Sequence, residues 1–195
     1  MDFDKTLSRD SYGTKIEYGI LYGSEKILFV KSGNGGTYCG RDGKYLRFAE
    51  FVRNTYGCSV ICASNPLESR ISYGDDMSVI CEYIASRKFT EPELYLLGNS
   101  DGCFKVIDIS STVQAAKTVI INMPLMINFY KTKEKIKSLP SKDIIFVYGE
   151  HDPSQIYLDY LKTLPFGEFV ILQNTAHKIA FDEKQSQIIA ELLFK

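Results

Sequence analysis

The sequence predicts a doubly wound, mostly parallel α/β sheet of about seven strands with helices on both faces. Three observations carry that reading. Short apolar runs recur along the chain, segments of helical period separate them, and polar or glycine-bearing loops follow them. Continuous apolar runs suit strands buried on both faces, and strand alternating with helix is the pattern of a wound parallel sheet.

Residues 16–22 read as the first strand, Gly23-Ser24 as a turn, and residues 26–30 as a second strand. Their closeness in sequence predicts an antiparallel hairpin. Tyr45, Phe48, Val52 and Tyr56 then recur at helical steps and share one face. Residues 58–62 form the next run. After it, Asp75-Asp76 is positioned to cap a helix carrying Ile80, Tyr83 and Ile84. Runs at 94–97, 119–121, 144–147 and 169–172 complete the strands. Ser154 is expected to cap a helix showing Tyr157, Tyr160, Leu161 and Leu164 to the core. Asp182 opens a last helix with Ile188, Ile189, Leu192 and Leu193 inward. The lysine-rich stretch 131–142 reads as a solvated helix face or loop, with attraction of an acidic substrate as the sharper alternative.

Composition narrows the function classes. The 195 residues are 45% hydrophobic and 24% charged, as in an ordinary globular protein, and are expected to form one domain, 1–195. A net charge of -1 gives no overall attraction to nucleic acid or to an anionic membrane. No apolar run reaches the ~18 residues of a membrane span, and the N-terminus shows no signal-peptide pattern. Five cysteines without a C-x-x-C pair, and two histidines, argue for free thiols and against a metal site. The expectation is a cytoplasmic protein without a cofactor, acting on a small molecule; its oligomeric state leaves no mark in the sequence.

In a wound α/β sheet the reactive groups stand at the carboxyl ends of the strands. Ser32-Gly33-Asn34-Gly35-Gly36 follows the second run. This is no dinucleotide fingerprint, because the position that needs the third glycine is Tyr38. After residues 94–97 comes Gly98-Asn99-Ser100-Asp101-Gly102, a G-x-S-x-G turn between a strand and a helix. That setting holds a serine in a tight, strained bend with its hydroxyl exposed. Such a hydroxyl needs a base to take its proton, and His177 lies in the loop after the last strand. The other histidine, His151, directly precedes Asp152 and is placed at the surface. Asp152 is assigned to orient His177, with Glu150 as the competing carboxylate; the order Ser100, Asp152, His177 suits nucleophilic acyl transfer.

These motifs resemble the α/β-hydrolase superfamily from about residue 16 to the C-terminus. Gly98 to Gly102 is similar to its nucleophile elbow, Gly149-Glu150-His151-Asp152 to its acid loop, and Thr175-Ala176-His177 to its histidine loop. Residues 32–36 resemble its oxyanion loop. The resemblance implies an oxyanion hole from the backbone amides of Asn34 and Asp101, with Gly33 and Gly35 against the substrate. Ser32 departs from the pattern, standing where many members have histidine, and Cys103 replaces a common glycine or alanine. The usual first strand is expected to be missing, and no large cap follows residues 119–122. Residues 124–130 occupy that place, making Leu125 and Met126 candidates for the acyl pocket, with core packing as the other reading. The function implied is a carboxylesterase-like serine hydrolase acting on small esters, thioesters or amides. A binding protein of the same fold without catalysis is the alternative.

Overall fold

The computed structural model describes residues 2–67, 73–126, 129–137, 143–164 and 167–195. Eight strands form one sheet in the order β1-β2-β4-β3-β5-β6-β7-β8. They are β1 (Lys5–Ser11), β2 (Thr14–Leu21), β3 (Ser24–Lys31), β4 (Cys58–Ala63), β5 (Glu93–Asn99), β6 (Lys117–Ile121), β7 (Ile144–His151) and β8 (Glu168–Ala176). The pairs β1–β2 and β2–β4 are antiparallel, and the others are parallel.

The wound parallel sheet is the predicted one, with two corrections at its antiparallel end. The expected hairpin between residues 16–22 and 26–30 does not form, because β4 lies between β2 and β3. Gly23 lets the chain pass there: a Cβ at this position would stand 2.4 Å from the backbone carbonyl of Cys58. The strand thought missing is present as β1. It pairs with β2 through Tyr12 and Gly13, whose φ values of 52° and 82° suit a two-residue hairpin turn. Its sequence, KTLSRDS, is polar because it is an edge strand with a largely exposed burial pattern, so no apolar run announced it.

Side chains alternate across the sheet and build two cores. On one face, Leu28, Val30, Val60, Leu97 and Val119 meet α1 (Lys44–Tyr56) and α6 (Glu183–Phe194). Tyr45, Phe48 and Val52 are the buried side of α1, as their spacing predicts, and Asp182 caps α6 by accepting from the Gln185 amide at 2.8 Å. On the other face, Ile27, Phe29, Ile61, Leu96 and Ile120 meet α2 (Tyr73–Arg87) and α3 (Gly102–Ser110). Ile136 of α4 (Phe129–Lys137) and Leu158 and Leu161 of the short α5 (Leu158–Leu161) extend that core.

Two predicted caps are also corrected. Asp76 lies in the first turn of α2 and points into the core, where Lys31 balances its charge. Ser154 sits inside a 3-10 turn; Asp152 is the cap, accepting from the Ser154 amide at 2.7 Å. In the lysine-rich stretch, Lys135 pairs with Asp108 and Lys137 with Glu134, as a solvated helix face would. Residues 138–142 of that stretch lie outside the described residues. No helix among the described residues is long and apolar enough to cross a membrane.

Candidate active site

The carboxyl ends of β3, β5, β6, β7 and β8 bring the candidate residues together. Ser100 stands between β5 and α3 with φ of 53°, a left-handed conformation costly for any side chain other than glycine. Its amide donates to Ile121 O at 2.8 Å, which fixes the bend to the neighbouring strand. The flanking glycines are required by close approach. A Cβ on Gly98 would lie 2.6 Å from Cys103 Cα, and one on Gly102 would lie 2.3 Å from the carbonyl oxygen of Ser32. The elbow and the loop after β3 are thus packed backbone against backbone.

His177 Nε2 is 2.9 Å from Ser100 Oγ, and His177 Nδ1 is 2.6 Å from Asp152 Oδ2. The Asp152 side chain is fully buried, while that of His177 is 37% exposed, so the chain of contacts runs from the interior to an open surface. An ionised carboxylate at Nδ1 selects the tautomer with its proton there. Nε2 is then left to accept from the Ser100 hydroxyl. A register irregularity between Gly149 and His151 swings the chain so that Asp152 faces His177. Glu150 turns the other way and accepts from the Asn174 amide at 2.7 Å; the His151 side chain is 64% exposed.

Two asparagines support this arrangement, and sequence reasoning passed over both. Asn122, at the end of β6, donates to His177 O at 2.8 Å and accepts from the Gly149 amide at 2.8 Å. It thereby ties the histidine loop to the acid loop. Asn65 follows β4 and accepts from the Gly35 amide at 2.7 Å through its carbonyl. Its side chain donates to Asp101 Oδ2 at 3.1 Å. The signal for Asn122 was a polar residue closing the run Val119-Ile120-Ile121; Asn65 showed none.

Ser32 closes the loop from within by donating to Gly36 O at 3.0 Å, and Gly36 N bonds Gly33 O at 2.8 Å. The loop is therefore braced without a histidine. Gly33 lies against the serine, where a Cβ would stand 3.1 Å from Ser100 Cβ.

A cavity of about 570 Å³ opens over Ser100 and His177, within the range of small-molecule sites. Gly33, Asn34, Tyr45 and Asn99 line its inner side; Arg41, Lys44, Arg47 and Lys178 stand around it. Tyr45 is anchored by the Asn99 side-chain amide at 2.8 Å, and burial pushes its hydroxyl pKa up. Three substrate candidates fall away from this space. None of the three is among the residues that line the cavity: Leu125 is fully buried, Met126 is 52% exposed, and a Cβ on Gly35 would stand 3.1 Å from the Leu67 side chain. Leu125 packs in the core, and its amide donates to Ser154 Oγ at 3.2 Å. Ile127 and Asn128 lie outside the described residues.

No family model matches the sequence, and no curated protein matches it. Solved structures do match in shape. An α/β serine hydrolase homologue from Coxiella burnetii superposes with a TM-score of 0.69 at 14% identity, covering 98% of this chain and 96% of that one. The esterase domain of a Rhodothermus marinus protein gives 0.68 at 10% identity, covering 96% and 95%. An α/β serine hydrolase without a lid from Xanthomonas campestris gives 0.65 at 16% identity, covering 96% and 90%. With the strand order above, these likenesses show that the chain has the α/β-hydrolase fold. Between its β6 and β7, the one helix among the described residues is α4.

Proposed function

We propose that the protein is a serine hydrolase that cleaves a small ester, or a thioester or amide, through an acyl-enzyme on Ser100. The observation that carries this reading is the unbroken contact chain Ser100–His177–Asp152, 2.9 and 2.6 Å long, ending at an open cavity. His177 takes the proton from Ser100 as its oxygen attacks the carbonyl carbon. Asp152 holds the imidazole and stabilises its charged form. The amides of Asn34 and Asp101 receive the oxyanion, each donor contributing about 3–4 kcal/mol in sites of this kind.

The leaving group then departs with the proton from His177, and the acyl group stays on Ser100. Water loses a proton to His177, attacks the acyl carbon, and frees the acid as Ser100 regains its proton. The 195 residues serve as one catalytic domain in this reading, and the enzyme is assigned to the cytoplasm. The five unpaired thiols fit a reducing compartment.

Hydrolysis of p-nitrophenyl acetate tests the proposal. The wild type should turn over, and Ser100→Ala should fold normally and be inactive. Equal rates in the two proteins would overturn the assignment.

A further inference from the structure

The whole chain is nearly neutral, but the cavity over Ser100 is not. Four cationic residues, Arg41, Lys44, Arg47 and Lys178, line it against the single carboxylate of Asp42. Asp42 is exposed and lies 3.7 Å from Arg41 Nε, so its charge is directed to that neighbour. Arg47 reaches the backbone oxygen of Asp42, and Lys44 Nζ donates to Ile179 O at 2.8 Å. Neither meets a carboxylate among the described residues.

Lys44 is half-buried between the rings of Tyr45 and Phe181, with Nζ 4.9 and 5.5 Å from their centroids. Burial lowers its pKa, so the site holds a cation at an electrostatic cost and supplies no anion to offset it. Lys44 and Arg47 also fall in the first turn of α1, which has no acidic residue there and no side-chain cap. A helix start favours anions and disfavours cations, so both the helix and its side chains lack the same partner.

Resting on the hydrolase reading, we propose that the natural substrate carries a negative charge, a carboxylate or a phosphate, that Lys44 and Arg47 bind while Ser100 attacks the ester. The anion is the counter-ion the cavity lacks. It would orient the substrate by its far end and leave the carbonyl at the serine.

Matched ester pairs test this. Mono-p-nitrophenyl adipate and p-nitrophenyl hexanoate differ in charge on the acyl side. Sodium 4-acetoxybenzoate and methyl 4-acetoxybenzoate differ on the leaving-group side. In at least one pair, after subtraction of uncatalysed hydrolysis, the charged ester should show a kcat/KM about tenfold higher at low salt. Raising the ionic strength should shrink that preference. Lys44→Gln and Arg47→Gln should each reduce the preference severalfold, whereas Lys26→Gln, at the amino end of β3 and so at the opposite end of the strands from the cavity, should keep it.

A preference for the neutral ester in both pairs, or one indifferent to Lys44 and Arg47, overturns the proposal and leaves the hydrolase reading standing. Ligand binding to Ser100→Ala separates the two ideas, because it needs no turnover. Monomethyl adipate or 4-acetoxybenzoate should raise the melting temperature of this variant in a salt-sensitive way, and methyl hexanoate should not. That result without turnover in the wild type would sink the hydrolase reading alone. Equal effects of charged and neutral ligands would sink the anion site.

Discussion

Asp152 and Asp76 are both buried carboxylates, each held against a nitrogen within 3 Å, yet they lead to opposite ends. Asp152 contacts His177, whose imidazole is partly exposed and passes the contact on to Ser100 at a cavity. Asp76 contacts Lys31 and Tyr18, and all three are sealed in the core. Lys31 Nζ hydrogen-bonds Asp76 Oδ1 at 2.9 Å and lies 2.8 Å from Oδ2, while the Tyr18 hydroxyl donates to Oδ1 at 2.9 Å. Burial lowers the Lys31 pKa and raises those of Asp76 and Tyr18, since it penalises every charged form. The two clusters share polar chemistry and differ in access. A carboxylate becomes part of a reaction when its partner reaches a substrate, and otherwise it balances an internal charge.

Between these two carboxylates the larger loss of activity should come from Asp152→Asn, which leaves the packing in place but selects the wrong imidazole tautomer. Steady-state assays should show kcat reduced about 10⁴-fold, with a melting curve close to that of the wild type.

Asp76→Asn should do the reverse. It strands Lys31 in the core and should cost about 3–5 kcal/mol in chemical denaturation, while the folded protein keeps its activity. Its deficit should also depend on pH. Without Asp76, burial pushes the Lys31 pKa lower still, and a base with a depressed folded pKa loses stability as pH falls towards that value. The deficit should therefore widen as pH drops below the ordinary lysine range of about 10. Replacing both partners, Lys31→Met with Asp76→Leu, should recover most of the loss.

Asn122→Ala lies between these cases. The loss of bonds to His177 O and Gly149 N should cost about 1–3 kcal/mol, and kcat should fall about tenfold as the histidine loop loosens. Glu150→Gln should change least. Its side chain is 40% exposed and faces Asn174, so kcat should stay within about twofold of wild type.

The parallel strands and the cluster of Ser100, His177 and Asp152 were legible for one reason. Apolar runs mark buried strands, and in this fold the loops that follow them carry the chemistry. The residues that failed to show were those whose role is set by distant partners. Lys31 continues an apolar strand, and only Asp76, 45 residues on, explains how it can be buried there. Asn65 and Asn122 act by joining loops far apart in sequence. The edge strand β1 hid because one-sided pairing needs no apolar run. The cationic rim hid because the acidic residues elsewhere bring the whole chain to a net charge of -1.

In the proposed mechanism, His177 and Asp152 activate Ser100 as a nucleophile. Treatment of the folded protein with a fluorophosphonate probe, followed by mass spectrometry of its peptides, tests this most directly. One adduct per chain should form on Ser100, lost in Ser100→Ala and strongly slowed in Asp152→Asn. An unlabelled wild type, or an adduct on another residue that persists in Ser100→Ala, would contradict it.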